Sequence, residues 1–227
     1  MGAEPFVVPS SFPYEPGMIP GLMGKRFIST GSDVIRNGGV YLWENKAAYD
    51  AFVASDLYQA AVVQGLADIS ANMEVMHGEV LDNGMQYFCP GNELSTPGCA
   101  LAESMFIVFL TFSTPMSPVD FEGTMDGDAG WGPYFAPDVV PGLDSKRSIM
   151  VNSDMEMTSG MDGMYTMGGL YFFQDRASFE AWVASDHYAG TVTNGLMMIP
   201  GVADTAQWYE LDVVPELAEL SLPDIYN

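Results

Sequence analysis

The sequence predicts an α+β protein built from two similar halves. Residues 38–59, GGVYLWENKAAYDAFVASDLYQ, return as GGLYFFQDRASFEAWVASDHYA at 168–189, with ten of 22 positions identical. Residues 20–26, PGLMGKR, match PGLDSKR at 141–147. The first match has an offset of 130 and the second an offset of 121, so the second half carries nine more residues between its matched segments. An internal duplication of this length favours two units of roughly 100 residues each.

Each copy of the longer repeat is typical of a strand followed by a helix. Two glycines introduce β-branched and aromatic residues, which favour a strand. Asn45 and Asp175 come next, and both are good N-cap residues. Large apolar side chains then recur at i, i+3 and i+4, which places them on one helix face: Tyr49, Phe52 and Val53, and in the second copy Phe179, Trp182 and Val183. Serine caps at Ser55 and Ser185 predict a second, short helix ending near Gly65 and Gly195.

Three further segments predict strands: SMFIVFLTF at 104–112, MEVMHGEV at 73–80 and AQWYELDVV at 206–214. The second half therefore reads β-α-β-β-α-β, the ferredoxin-like order. The first half reads the same without its opening strand, for which PFVVPS at 5–10 is the weak candidate. Each half would form an antiparallel sheet with helices on one face, and two such sheets can face each other. We therefore expect two ferredoxin-like repeats forming an intramolecular α+β barrel around a pocket.

The predicted domain boundaries follow the repeat. The first ferredoxin-like repeat spans 1–82, a linker 83–103, the second repeat 104–217 and a C-terminal tail 218–227. Cys89 and Cys99 both lie in the linker, in the loop-like CPGNELSTPGC. A disulfide and two free thiols are both compatible with this spacing, since two cysteines do not decide the compartment.

Composition excludes several classes of partner and of site. The formal net charge is −23 with only seven Lys and Arg, so nucleic acid and anionic membranes are improbable partners. The longest apolar run, near 105–110, is far below the about 20 residues that span a bilayer, and MGAEPFVV shows no signal-peptide pattern. We expect a soluble protein, with the cytoplasm slightly favoured.

The chain has no GxSxG, P-loop, GxGxxG after a strand, HExxH or CxxC, so hydrolase, nucleotide and zinc sites have no support.

The ordered pattern PGL…K…GG-(V/L)-Y-(L/F)-(W/F)-(E/Q)-(N/D)-(K/R)-A resembles the dimeric α+β-barrel proteins. It is most similar to the YdhR-type branch, whose members are described as mono-oxygenases, close to the antibiotic-biosynthesis mono-oxygenases. The resemblance covers about 20–80 and 104–214. Members usually pair two chains, so it implies a fused pseudo-dimer here, with further homo-oligomerisation open. The missing first strand and a Met-rich insertion at 150–167 depart from the family pattern.

The resemblance also implies an activity. It suggests a cofactor-independent, mono-oxygenase-like enzyme acting on an aromatic or polyketide-like small molecule in a central apolar cavity. The substrate would be deprotonated to an electron-rich anion that reacts with oxygen. Because one fold hosts many functions, the alternative is a non-catalytic ligand-binding or structural protein that retains the fold.

Five residues are the candidate catalytic groups. Lys25 and Lys146 occupy equivalent positions after the PGL turn, where a cation could hold an enolate oxygen; structural salt bridges are the alternative. His77, on a predicted strand, is the candidate base, and a hydrogen-bonded surface histidine is the alternative. Tyr41 and Tyr171 are candidate hydrogen-bond donors on equivalent strands.

Four aromatic residues are the candidate substrate-binding groups. Trp43 and Phe173 share a strand face with Tyr41 and Tyr171 respectively, and Trp208 and Tyr209 lie on the last strand. They could line a flat apolar cavity for a planar substrate. Ordinary core packing is the alternative interpretation.

We expect no cofactor and no metal. Haem ligation by His77 is one exception to test. Copper(I) binding by a methionine cluster is another, although a flexible apolar flap is the favoured role; the cluster comprises Met150, Met155, Met157, Met161, Met164 and Met167. The acids of SPVDFEGTMDGDAGWG at 117–132 lack the third ligand and the final Glu of a calcium loop.

Overall fold

The computed structural model describes residues 19–29, 37–64, 78–80, 105–125, 139–151 and 163–213. The chain divides into two compact units, one formed by residues 1–75 with 214–227 and the other by residues 76–213. Both contain strands and helices, so the protein is of the α+β class that the sequence predicts.

The first unit contains a hairpin followed by helices. Strands β1 (Leu22–Ser29) and β2 (Asn37–Trp43) pair antiparallel. Helix α1 (Lys46–Val53) follows, then the short α2 (Asp56–Tyr58), which continues as a π-helical segment over Gln59–Gln64. These bounds match the helix, second cap and short helix predicted for the first copy of the repeat.

The described residues of the second unit form more strands and helices than those of the first unit. In chain order they are β3 (Gly78–Val80), β4 (Phe106–Thr114), α3 (Pro118–Met125), β5 (Leu143–Val151), β6 (Tyr165–Phe173), α4 (Arg176–Val183), α5 (Asp186–Tyr188), a π-helical segment (Ala189–Thr193), a 3-10 turn (Leu196–Met198), α6 (Val202–Thr205) and β7 (Gln207–Val213). Strands β4 and β7 correspond to the strands predicted at 104–112 and 206–214.

The strands of the second unit form an antiparallel sheet in the order β7-β4-β6-β5-β3. Strand β3 is the described end of the strand predicted at 73–80, and its Gly78 pairs with Val151 of β5. The strand that closes the first repeat in the sequence therefore adds to the sheet formed by the second repeat. The ferredoxin-like topology of two separate repeats stays a prediction.

The hairpins β1–β2 and β5–β6 have the same register. Lys25 lies opposite Tyr41 in the first, and Lys146 lies opposite Tyr171 in the second. Each hairpin also has a register shift at the same place, because one extra residue interrupts the pairing after Leu22 and after Leu143. An extra residue of this kind is a β-bulge, which reverses the alternation of side chains along its strand.

The helix caps of the two copies are also alike. The Asn45 side chain accepts a hydrogen bond from the Ala48 amide at 2.9 Å, and the Asp175 carboxylate accepts one from the Ser178 amide at 2.7 Å. Ser55 and Ser185 cap the following short helices by accepting from the amides of Tyr58 and Tyr188, both at 3.1 Å. Side-chain capping at these points satisfies amides that have no partner within the helix.

Helices α4, α5 and α6 and the turns between them cover one face of the second unit's sheet. The core on that face is built from alternate residues of β4 and β6 packed against helix residues, with these buried members: Phe106, Val108, Leu110, Phe112, Tyr171, Phe173, Phe179, Trp182, Val192, Leu196, Ile199 and Val202. The intervening residues Ile107 and Phe172, on the opposite face, are also buried, at 0% and 1% exposure. Both faces of the central strands are therefore shielded from water.

Several predictions from the sequence fall outside the described residues. These are the weak opening strand at 5–10, the linker cysteines Cys89 and Cys99, and the C-terminal tail at 218–227. The domain boundaries accordingly stay predictions. In the described ranges, no helix has the length and apolar content needed to cross a bilayer.

Gly142 is expected to be essential for the turn before β5. Its φ is +75°, and an added Cβ would lie 2.4 Å from both Cβ and Oγ of Ser178 in α4. Gly163 has a similar φ of +73° but nothing within 4 Å of such a Cβ, so Gly163→Ala isolates the backbone strain. We expect Gly163→Ala to lower the free energy of unfolding by about 1 kcal/mol and Gly142→Ala by about 3 kcal/mol. Equal losses in urea denaturation would contradict the steric argument.

The Asp175 cap is expected to make stability depend on acid pH. Hydrogen bonds from the side chain and backbone of Ser178 lower the pKa of Asp175. The cap's charge-dependent stabilisation is therefore complete above the unfolded-state pKa and is lost as the pH falls through the folded-state pKa. Urea denaturation should show the penalty of Asp175→Ala at neutral pH shrinking in acid. Asp175→Asn, which copies Asn45, should lack this dependence, and a pH-independent penalty for the alanine variant would refute the assignment.

Candidate functional site

A buried lysine lies on the helix-covered face of the second unit's sheet. Lys146 on β5 is only 3% exposed, and its ammonium nitrogen is 5.5 Å from the centre of the Tyr171 ring on β6. Burial lowers the pKa of Lys146 to about 7, because a low-dielectric surrounding disfavours the charged form. Lys146 therefore carries an amine that changes protonation near neutral pH. The Tyr171 ring is positioned to make a cation–π contact with this amine.

The glycine two residues before Tyr171 leaves space for the Tyr171 ring. A Cβ on Gly169 would lie 2.9 Å from Cε2 of Tyr171, so the ring occupies the space of the missing side chain. The first copy repeats this arrangement, with 2.7 Å between a Cβ on Gly39 and the Tyr41 ring. The second glycine of each pair therefore lets the tyrosine ring lie flat on its strand. Burial raises the pKa of Tyr171, so its hydroxyl stays protonated.

Aromatic rings continue from Tyr171 across the underside of the helices. Tyr171 is 6.0 Å from Trp182 of α4 between ring centres, Trp182 is 5.0 Å from Tyr188 in an edge contact, and Tyr188 is 6.3 Å from Trp208. Such geometries are favourable for aromatic pairs. We call these five residues, Lys146, Tyr171, Trp182, Tyr188 and Trp208, the Lys146 cluster.

The structure separates two of the predicted substrate-binding residues. Phe173 and Trp208 lie on the helix-covered face, where Phe173 contacts Trp182 at 5.8 Å. Tyr209 lies on the opposite face, where it stacks on Phe109 at 5.8 Å. Neighbouring residues on a strand point to opposite faces, so Trp208 and Tyr209 do not line one surface.

The first copy of the repeat has a matching set of rings. Trp43 is 5.2 Å from Phe52 and 5.7 Å from Tyr49, and Phe52 is 5.3 Å from Tyr58. Tyr41 is 38% exposed, whereas its equivalent Tyr171 is 3% exposed. Lys25 lies opposite Tyr41 in the strand register.

The structure describes only some of the other residues predicted for the site. His77 lies outside the described residues, as do Met155, Met157 and Met161. Met150 and Met167 face each other across β5 and β6 and are 4% and 1% exposed, so these two fill the core. Within the described ranges, no group of three or more His, Cys, Asp or Glu side chains is placed to hold a metal ion.

Four residues at or near the Lys146 cluster were not among the site residues predicted from the sequence. Trp182 and Tyr188 complete the Lys146 cluster, and the aromatic residues at the equivalent positions 52 and 58 were the available signal. Arg147, 4% exposed, and Ser145, 0% exposed, lie on the opposite sheet face. Burial lowers the pKa of Arg147 to about 10.

The fold is similar to that of solved structures named for oxidation chemistry. No family model and no curated protein matches the chain. The structure of an anthrone oxidase-like protein matches 88% of this chain and 79% of its own, with a TM-score of 0.52 and 14% identity. At this identity the match shows a similar α+β fold and nothing of the reaction.

Two presumed monooxygenases are more distant in structure. The one from Fusobacterium nucleatum matches 87% of this chain and 78% of its own, with a TM-score of 0.48 and 10% identity. The one from Lactobacillus acidophilus matches 86% of this chain and 79% of its own, with a TM-score of 0.45 and 12% identity.

Replacing Lys146 is expected to stabilise the protein in a pH-dependent way. Its folded-state pKa of about 7 is below the ordinary value of 10.5, so unfolding takes up a proton between these pH values. The stability of the natural protein should therefore rise as the pH increases from 7 to 10. Lys146→Met removes this proton uptake, so its stability advantage should be greatest below pH 7 and shrink towards pH 10.

The matched control is Lys46→Met, which removes a lysine that is 48% exposed and paired with Asp50 one helical turn away. Pairs of this kind contribute about 0.2 to 0.5 kcal/mol. Chemical denaturation of both variants from pH 6 to 10 measures the effect. A Lys146→Met variant less stable than the natural protein at pH 6 would contradict the proposed desolvation.

Proposed function

We propose that the protein binds an aromatic or polyketide-like small molecule at the Lys146 cluster and oxidises it without a cofactor. The observation that carries this proposal is the buried amine of Lys146 placed 5.5 Å from the centre of the Tyr171 ring, which in turn contacts Trp182. The reaction class is the one that the resemblance of the repeat to α+β-barrel mono-oxygenases implies, and the fold shared with an anthrone oxidase-like protein is compatible with it.

The chemistry suited to this site starts with a weakly acidic carbon or phenol. An uncharged Lys146 amine would accept the substrate proton, and the resulting ammonium would stabilise the enolate oxygen that forms beside it. A group whose pKa lies near the working pH is the most effective for such transfers. Because Lys146 has a pKa of about 7, both protonation states are populated at neutral pH.

The substrate anion would itself reduce molecular oxygen. For an anthrone, the ring CH₂ becomes a carbonyl, one oxygen atom enters the product and the other leaves as water. The four electrons lost by the carbon are the four that dioxygen accepts. The protein would contribute deprotonation, charge stabilisation and exclusion of water, the last through the buried rings of Tyr171 and Trp182.

The first copy of the repeat would carry a second, related site. Lys25 is paired with Tyr41 in the same strand register as Lys146 with Tyr171, and Trp43 occupies the position of Phe173. The equal register and bulge of the two hairpins support the origin of the chain as a duplicated unit. His77 as an alternative base, a central apolar cavity and a fused pseudo-dimer remain part of this proposal.

A non-catalytic role is the second candidate, and one observation favours it. Tyr171 and Trp182 are only 3% and 2% exposed and pack on each other, as residues of an ordinary core do. In that case the cluster would stabilise the fold or hold a ligand without transforming it.

Oxygen consumption in the presence of anthrone distinguishes the two candidates. The metal-free, dialysed protein should consume oxygen and form anthraquinone above the spontaneous rate. Lys146→Met should lower kcat by about 100-fold or more, the usual contribution of a general base. Lys46→Met should leave the rate unchanged, because that lysine is exposed on α1. Haemin titration without a Soret shift would exclude the haem alternative.

Two results would overturn the enzyme proposal. One is oxygen consumption at the spontaneous rate across a panel of tricyclic phenols and anthrones. The other is a Lys146→Met variant that is folded and as active as Lys46→Met. Binding of these compounds without turnover would support the non-catalytic candidate instead.

A further inference from the structure

We propose that Tyr171, Trp182, Tyr188 and Trp208 form a relay that carries single electrons between the buried interior of the second unit and its periphery. The relay is defined by ring geometry and does not depend on the proposed oxygenation. A protein inactive towards anthrone would still possess it.

The rings form a continuous series of close contacts. Centre-to-centre distances are 6.0 Å from Tyr171 to Trp182, 5.0 Å from Trp182 to Tyr188 and 6.3 Å from Tyr188 to Trp208. Rings at this spacing are in van der Waals contact at their edges. Phenol and indole are the protein rings that lose an electron most readily, and every member of the series is one or the other.

The two outer rings of the series are more exposed to water than the two inner rings. Tyr171 and Trp182 are buried at 3% and 2% exposure, while Tyr188 and Trp208 are partly buried at the margin of the core. An oxidising equivalent formed near Tyr171 could therefore move outwards to rings that a dissolved reductant can reach. Such a path would protect the buried core from oxygen-derived radicals.

The electron balance needs an oxidant and a reductant, which we identify by class. A hydroperoxyl radical takes one hydrogen atom from the Tyr171 hydroxyl and becomes hydrogen peroxide, leaving a phenoxyl radical. Trp182, Tyr188 and Trp208 pass an electron inwards to that radical, and a proton returns to its oxygen. A small-molecule thiol then reduces the outermost ring and leaves as a thiyl radical.

The first copy of the repeat provides an internal comparison. Phe52 stands where the second copy has Trp182, and its ring centre lies 5.3 Å from that of Tyr58, the equivalent of Tyr188. A phenyl ring is far harder to oxidise than an indole. The first copy therefore lacks the indole that lies between the two tyrosines in the second copy.

Freeze-quench electron paramagnetic resonance tests the relay in the full-length protein. A photogenerated ruthenium(III) trisbipyridine complex is too large to reach Tyr171, which is 3% exposed, and oxidises peripheral rings. The Tyr171 radical is defined as the spectral component that the Tyr171→Phe variant lacks. We expect this component in the natural protein and its loss in Tyr188→Phe, where the series is broken.

Tyr58→Phe is the matched control, because Tyr58 is the equivalent of Tyr188 in the first copy. It should keep the Tyr171 component unchanged. Each variant retains the ring and removes only a hydroxyl, and unfolding midpoints verify that the fold persists. A natural protein without the Tyr171 component, or a Tyr188→Phe variant that retains it, would overturn the proposal.

Discussion

The shifted pairing of β5 with β6 is the constraint on which the candidate site depends. Leu143 lies opposite Phe173 and Ser145 opposite Phe172, so Asp144 is the extra residue of a bulge. Beyond it, Lys146 meets Tyr171 on the helix-covered face, and Arg147 turns to the other face. Without the bulge, simple alternation from Leu143 would place Arg147 under the helices. One additional residue therefore decides which cation lies against the Tyr171 ring.

Much of the local structure could be predicted from the sequence. The offsets of 121 and 130 between the repeats also relate the paired strands of the two hairpins, because Lys25 and Tyr41 pair as Lys146 and Tyr171 do. The caps at Asn45 and Asp175 begin the helices as expected. Local signals of this kind act over a few residues, so they survive in any context. They identify elements and their ends, and they also showed that Lys146 and Tyr171 occupy repeated positions.

The faces on which site residues lie could not be predicted. The bulge leaves no clear signature in LDSKRSIM, so the sequence does not show whether Lys146 or Arg147 lies under the helices. Trp208 and Tyr209 were grouped as neighbours in the chain, although consecutive strand residues diverge. Trp182 and Tyr188 join the cluster only because α4 and α5 fold back over β6, which is a matter of tertiary packing.

The first residue of the helix bonds to different partners in the two copies of the repeat. In the second copy it bonds to a strand of the sheet, and in the described part of the first copy it bonds within its own helix. Arg176 at the start of α4 donates to Glu210 and Asp212 of β7 and lies 4.4 Å from the Phe106 ring centre. Its equivalent Lys46 bonds Asp50 on its own helix. A bidentate guanidinium fixes orientation where an ammonium does not. Because α4 also carries Trp182, this contact fixes the start of the helix whose indole packs against Tyr171, and the proposed oxidation site and electron relay both depend on that packing.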